Sequence, residues 1–152
     1  MLRVTKLADY GIVIMTFFAA HRADTCTARD IAGAARLPVP VVSKVLKILV
    51  GKGLLVSMRG ARGGYSLARD PREISVAAII RALEGPIAIT ECNDQAHGGC
   101  GLESGCTVRA NWNLINRALR SALEKITLAE MTQPLHQPLV NLNATGRRFP
   151  VS

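Results

Sequence analysis

Two prolines within three residues, Pro38 and Pro40, set the first strong constraint on how this chain can fold. A proline excludes the residue before it from the helical region, so no helix can run through this stretch unbroken. Proline also suits the first turn of a new helix, where its missing N–H donor is not needed. The sequence therefore predicts a short helix ending near Ala35, a turn over 36–40, and a second helix that ends within 51–53.

The residues around this turn support both helices. Thr27 and Asp30 have the spacing of a capping box, which satisfies free backbone donors where a helix begins. On the second helix, four apolar residues recur at helical spacing and should pack inward. They are Val42, Val45, Leu46 and Leu49.

An apolar run over 11–20 lies near the start of the chain, behind Arg3 and Lys6. Its ten residues are too few to span a bilayer, so we predict an amphipathic or buried helix and a cytoplasmic protein that does not bind a membrane. The residues that recur at helical spacing are Tyr10, Val13, Ile14, Phe17, Phe18 and His21.

A β-hairpin is predicted after the second helix. Its strands cover 54–57 and 65–68, and the glycine-rich turn between them carries Arg59 and Arg62. A helix, a short helix, a turn, a helix and a hairpin follow one another in a winged helix-turn-helix, whose second paired helix enters the DNA major groove. We therefore predict a mainly α fold with a winged helix-turn-helix DNA-binding domain and a β-hairpin wing.

Two more helices are predicted beyond the hairpin. Ser75 is suited to cap the first of them, and Gly85 to end it. A long helix from Thr107 to about Met131 carries apolar residues at alternating steps of four and three, the pattern of a seam that packs on a partner helix. The seam consists of Val108, Trp112, Ile115, Leu119, Ala122 and Ile126. Packing of this helix on its own domain is the alternative.

These elements predict four segments. They are a winged helix-turn-helix domain over 1–85, a cysteine-rich loop over 86–106, a dimerisation helix over 107–131 and a flexible tail over 132–152.

The charge of the chain indicates a polyanionic partner. Nineteen basic residues against 11 acidic ones give a formal net charge of +8, which suits nucleic acid or an anionic membrane. At the start of the recognition helix, Ser43 and Lys44 can reach base edges, while arginines at the wing tip can enter a minor groove or hold phosphates. The predicted DNA-binding residues are Thr5, Lys6, Pro40, Val41, Ser43, Lys44, Lys47, Arg59 and Arg62.

Three of the four cysteines lie within residues 92–106. Cys92, Cys100 and Cys106 are separated by seven and five residues, wider than the paired knuckles of most structural zinc sites. Thiolates favour zinc, copper(I) and iron–sulphur clusters, and the glycines between them let the backbone wrap a larger group. The candidates for a fourth ligand are His97, Glu103 and Asp9, and we expect the remaining Cys26 to be a buried thiol.

Residues 1–131 resemble the Rrf2 family of winged-helix regulators, which includes the iron–sulphur biogenesis regulator IscR and the nitric oxide sensor NsrR. The resemblance rests on the opening LRVTK, the wing MRGARGGY, the helix end LEG, and the three cysteines ahead of Trp112. The stretches KLADYG, RALEGPIAITEC and CTVRANW look most like the branch that controls the SUF iron–sulphur assembly operon.

The resemblance implies a homodimer joined through the long helix, with an iron–sulphur cluster near the interface that controls the DNA-binding domain. Whether the cluster is [2Fe–2S] or [4Fe–4S] stays open. IscR-like members use a histidine as fourth ligand where this chain has Arg109, whereas NsrR-like members use an aspartate that matches Asp9, so Asp9 is preferred over His97. The interval between Cys92 and Cys100 exceeds the usual family spacing, and Ser43 stands where IscR-like proteins carry glutamate.

The leading hypothesis is a homodimeric repressor of iron–sulphur assembly genes whose binding to a double-stranded DNA operator depends on a cluster held by the three loop cysteines. One alternative is a nitric oxide or redox sensor of the same fold. Another is a DNA-binding protein with a zinc site formed by Cys92, His97, Cys100 and Cys106. The thiolates alone also suggest an electron-transfer enzyme, but Rossmann and P-loop signatures and a catalytic dyad are lacking, so we expect neither an enzyme nor a small-molecule substrate.

Overall fold

The protein is described by a computed structural model over residues 3–22, 24–90, 93, 101 and 105–133. This part of the chain is mainly helical with one antiparallel hairpin, as predicted. In order, its elements are α1 (Lys6–Ala20), α2 (Ala28–Ala35), α3 (Val39–Gly51), β1 (Leu55–Met58), β2 (Gly64–Leu67), a 3₁₀ turn (Pro71–Glu73), α4 (Val76–Glu84), α5 (Arg109–Lys125) and α6 (Leu128–Met131). Within these ranges, every helix is too short or too polar to cross a membrane.

The start of α2 and the turn that follows this helix form as the sequence predicts. The Thr27 N–H donates to Asp30 Oδ2 at 2.9 Å, and the Asp30 N–H donates to Thr27 Oγ1 at 3.2 Å, which completes the capping box of α2. Hydrogen bonds from the Thr27 hydroxyl and backbone lower the pKa of Asp30. After α2, Arg36 takes a left-handed conformation with φ of 54°, and Pro38 in extended backbone directs the chain into α3.

The core lies between α1, α3 and α4. The predicted stripe on α3 is confirmed, because all four of its side chains have no exposed surface. The predicted face of α1 is only partly right: Ile14 and Phe18 are buried, but Val13 is 41% exposed and His21 is exposed. The buried face of α1 differs from the predicted one because α4 packs closely on α1. A Cβ atom on Gly11 would overlap Leu83 Cδ1 of α4.

The wing is a two-stranded ribbon whose second strand is attached near the turn to the loop between α1 and α2. Its strands pair with Leu55 opposite Leu67 and Met58 opposite Gly64. The Cys26 N–H donates to the Tyr65 carbonyl at 3.1 Å, and the Tyr65 N–H donates back to the Cys26 carbonyl at 2.9 Å. Cys26 is buried in the core, as predicted, and its burial raises the pKa of its thiol.

The prediction of one helix over 107–131 is wrong at its end. Helix α5 stops at Lys125, Ile126 is extended, and Thr127 caps the separate helix α6. The break occurs because the backbone here joins the core: the Val76 N–H donates to the Ile126 carbonyl at 2.9 Å, and the Leu128 N–H donates to the Ile74 carbonyl at 2.7 Å. Leu128 has no exposed surface, so α6 belongs to the core and not to a protruding helix.

The other predicted boundaries, 1–85, 86–106 and 132–152, stay predictions. Of the tail, residues 134–152 lie outside the described part of the chain.

Truncation of Leu128 tests this attachment. We expect Leu128→Ala to lower the free energy of unfolding by about 2–5 kcal/mol, since it removes a buried side chain and leaves a cavity. Leu114→Ala on α5 is the matched control: Leu114 is 62% exposed and lies outside the apolar seam, so its loss should change stability by no more than about 0.5 kcal/mol. Urea unfolding of both variants at one protein concentration measures the difference, and equal midpoints would contradict the assignment.

Candidate functional site

The first half of α3 presents a polar face to solvent. Its exposed residues Pro40, Ser43, Lys44 and Lys47 follow helical spacing and lie opposite the buried stripe, while Val41 is half-buried. Val39 was not among the predicted contact residues, yet it opens the helix and is 40% exposed. The helix begins at Val39, one residue before the start that Pro40 suggested. A prediction that began the helix at Val39 would have included this residue.

The wing tip holds both of its predicted arginines in solvent. Both are exposed: Arg59 precedes a tight turn and Arg62 lies within it, where the Gly63 N–H donates to the Gly60 carbonyl at 2.9 Å. Gly60 has φ of 113°, which favours glycine, and a Cβ atom on Gly63 would lie 2.6 Å from the Met58 carbonyl oxygen. The turn therefore needs its glycines, and it presents two guanidinium groups at one end of the ribbon.

The start of α1 differs from the phosphate site expected at Thr5 and Lys6. The Thr5 N–H donates to Glu84 Oε1 at 3.0 Å, and the Thr5 hydroxyl also bonds the same carboxylate oxygen. Thr5 Oγ1 in turn accepts from the Ala8 N–H at 3.3 Å. These donors already have an anionic partner, so a DNA phosphate at Thr5 would have to displace Glu84. Lys6 is exposed.

Of the predicted cluster ligands, the structure describes Cys106 and Asp9. Cys106 is a free, half-buried thiol just ahead of α5, and its carbonyl accepts from the Arg109 N–H at 3.4 Å. Asp9 is exposed on α1. Cys92, Cys100, His97 and Glu103 lie outside the described residues, so the convergence of the three thiols stays a prediction. Among the residues that are described, no three His, Cys, Asp or Glu side chains form a metal-binding group.

Asn116 holds the chain that leads into the cysteine loop. This residue of α5 is 4% exposed; its Oδ1 accepts from the Ile89 N–H at 3.1 Å, and its Nδ2 donates to the Ile87 carbonyl at 3.3 Å. Ile89 lies three residues before Cys92, and Cys106 precedes α5 directly. Both ends of the loop are thus attached to the same helix. Sequence reasoning missed Asn116 because a polar residue in a helical pattern ordinarily indicates a solvated face.

The apolar seam of α5 is open to solvent in the single chain. Trp112, Ile115 and Leu119 are 36%, 47% and 37% exposed, and Val108 is 46% exposed. The last two seam residues, Ala122 and Ile126, are half-buried toward the core. One turn of α5 also faces α4, where Arg81 Nη1 lies 3.6 Å from Glu124 Oε1.

Comparison with known proteins identifies this arrangement. The family model described as Rrf2, iron-dependent transcriptional regulator, matches residues 4–134. The HTH-type transcriptional regulator IscR of Yersinia pseudotuberculosis is 30% identical over 131 residues, which cover 86% of this chain and 79% of the relative. The HTH-type transcriptional regulator NsrR of Oceanobacillus iheyensis is 28% identical over 134 residues, covering 86% of this chain and 89% of the relative.

The fold is similar to that of a solved regulator. The structure of CymR, the global cysteine regulator of B. subtilis, superimposes with a TM-score of 0.70 at 29% identity, covering 87% of this chain and 97% of CymR. This likeness confirms the predicted winged-helix fold, and the relatives are transcription regulators. The chain therefore belongs to the Rrf2 family and is a DNA-binding transcription regulator, not an enzyme.

Proposed function

We propose that the protein is a homodimeric repressor of iron–sulphur assembly genes, whose operator binding is controlled by an iron–sulphur cluster on Cys92, Cys100 and Cys106. The observation that carries the proposal is the attachment of both ends of the cysteine loop to α5. Asn116 holds the segment that enters the loop, and Cys106 lies where α5 begins. A change in the loop therefore acts on a helix that is itself tied to the DNA-binding core.

The donor set fits such a group. Cys106 is free and only partly buried, so its thiolate is available to a metal. Three thiolates are soft ligands, which suit iron–sulphur clusters and zinc far better than magnesium or calcium. When bound, a cluster supplies redox-active iron and sulphide whose reduction potential depends on its surroundings. The family description as iron-dependent favours iron over zinc.

Asp9 is the fourth ligand we propose. It is exposed on α1, one turn after Thr5, and an exposed carboxylate can reach outward to a group at the surface of its own or a partner chain. Arg109 has no lone pair that could replace it. His97 remains the second choice.

The route from the loop to the DNA passes through α5. Its C-terminal end enters the core through Ile126 and Leu128, and Glu124 pairs with Arg81 of α4. The α4 helix packs on α3, whose outer face carries Ser43, Lys44 and Lys47. Cluster state alters regulation only if the two states of the loop differ in affinity for the operator.

The open seam on α5 is the surface that we assign to a second copy of the chain. Large apolar side chains that share one helix face ordinarily mark an interface when they are exposed together. A parallel or antiparallel pairing of two α5 helices would cover Trp112, Ile115 and Leu119. Two winged-helix domains would then face adjacent half-sites of an operator.

Nitric oxide sensing is the second candidate. The NsrR relative and the aspartate at position 9 favour it. Both candidates share the ligands and differ in the signal, so one set of variants serves for both.

Replacement of Cys106 tests the cluster. We expect anaerobically purified wild-type protein to contain iron and acid-labile sulphide with a visible absorption band, and Cys106→Ala to lose both because one of three thiolates is gone. Cys26→Ala is the matched control, since Cys26 is buried in the core away from the loop, and it should keep iron and sulphide at the wild-type ratio. Far-ultraviolet circular dichroism checks that each variant is folded.

Stoichiometric zinc without sulphide in the wild type would overturn the cluster in favour of the zinc site. Asp9→Ala should shift the visible spectrum or speed loss of the cluster, whereas Asp24→Ala, also exposed, should not. An unchanged spectrum in Asp9→Ala would leave His97 as the ligand to replace.

Operator binding should depend on the wing tip. We expect Arg59→Ala to weaken binding and to lower the slope of log K against log salt by about one, because one phosphate or groove contact is lost. Lys125→Ala removes an exposed charge at the far end of α5 and serves as the control. Fluorescence anisotropy over a salt series measures both. Equal slopes for Arg59→Ala and wild type would exclude a DNA contact at Arg59.

The dimer should depend on the seam. Ile115→Glu places a charge in the middle of the apolar face, so we expect a shift from dimer to monomer in sedimentation velocity. Arg117→Glu changes an exposed residue two positions away, outside the seam, and should remain dimeric. A monomeric wild type, or dimers of Ile115→Glu with unchanged affinity, would contradict the assignment.

A further inference from the structure

Two adjoining cavities lie beside the C-terminal ends of α3 and α4, and the larger one also borders α5. The larger has a volume of about 480 Å³ and is bordered by Lys52, Arg81 and Arg120. The smaller, about 220 Å³, shares Lys52 and Arg81 and adds Arg69. We call this pair of cavities, with its four cations, the basic cleft. Its larger part falls in the size range of small-molecule sites.

The basic cleft has more positive charge than its described neighbours neutralise. Glu124 pairs with Arg81 at 3.6 Å, with both side chains nearly half exposed, so the attraction is weak. Four other carboxylates in the described ranges have partners elsewhere. Glu84 bonds Thr5, Asp70 pairs with Arg22 and Arg72, and Asp30 and Glu130 complete capping boxes. Four cations around one concave surface attract an anion.

The helix dipoles explain only part of this charge. Lys52 follows the last residue of α3, and Arg81 lies in the last turn of α4, where a cation offsets the negative end of a helix. Arg69 follows the hairpin, and Arg120 lies well inside α5, so neither has such a role. Their presence at the same cleft calls for another partner.

The position of the cleft separates it from the bases. From Pro40 to Lys52 the α3 axis rises by roughly 18 Å, at 1.5 Å per residue, so the cleft lies at the opposite end of the recognition helix from Pro40 and about 8 Å along it from Lys47. An anion here would contact α3, α4 and α5 together. It would therefore stabilise the packing through which α5 acts on α3.

We propose that the basic cleft binds a small polyanion, of pyrophosphate or polycarboxylate chemistry, as an effector. Two or more negative charges on one molecule are needed to bridge Lys52, Arg81 and Arg120 at once. The site involves no cysteine, so the proposal goes beyond the cluster and does not depend on it.

Isothermal titration calorimetry of the full chain tests this with pyrophosphate and citrate as probes, at matched ionic strength in chloride. We expect binding of one or both, with Arg120→Gln and Lys52→Gln each weakening it roughly 10-fold or more, since each removes a charge-assisted hydrogen bond. Arg117→Gln and Lys125→Gln remove exposed charges of the same helix that line neither cavity and should bind as the wild type does. If pyrophosphate binds more tightly than citrate, the effector is a phosphorylated compound. If citrate binds more tightly, the effector is a polycarboxylate.

Four results would overturn the proposal. The first is heat no greater than that of chloride, and the second is equal weakening by Arg117→Gln. The third concerns two acidic residues near Asn93 in sequence, Glu91 and Asp94. If the wild type does not bind the probe but a variant with both Glu91→Gln and Asp94→Asn does, the chain's own carboxylates already neutralise the cleft. An Arg120→Gln variant with a reduced salt slope in operator binding would instead make the cleft a DNA contact. None of these results bears on iron content, so the cluster proposal stands or falls separately.

Discussion

The backbone hydrogen bonds between residues 74–76 and 126–128 are the constraint on which the arrangement of this regulator depends. They turn the chain out of α5 and back into the core, where Leu128 is fully buried. Without them α5 would keep only its packing on α4 and the bonds of Asn116, and its C-terminal end would have no fixed position relative to α3. With them, the end of α5 moves only with the winged-helix domain.

The middle of α5 holds the segment ahead of the cysteines in the same manner. Asn116 offers one donor and one acceptor to the backbone of residues 87 and 89, as a neighbouring strand would. Because the carboxamide is buried, loss of either bond would leave an unsatisfied polar group, which costs about 1–3 kcal/mol. The entry to the cysteine loop is therefore held firmly on α5.

Local patterns predicted the helix-turn-helix well and the later segments less well. The capping box at Thr27, the two prolines and the stripe on α3 act over a few residues, so they can be recognised in sequence. The end of α5 was missed because the seam continues to Ile126, while the competing Thr127 to Glu130 capping box was overlooked. The bond between Thr5 and Glu84 joins residues 79 positions apart, and no pattern within one element indicates such a contact.

That long-range bond also bears on the predicted DNA contact at the start of α1. The carboxylate of Glu84 occupies the donors of Thr5, and a negative charge there is favoured by the helix dipole. A DNA phosphate would compete with an intramolecular partner that has no translational entropy to lose, so the site is poorly suited to DNA. The same bond links the end of α4 to the first turn of α1, which carries Asp9. α4 thus connects the helix that carries Asp9, the proposed fourth ligand, to α5.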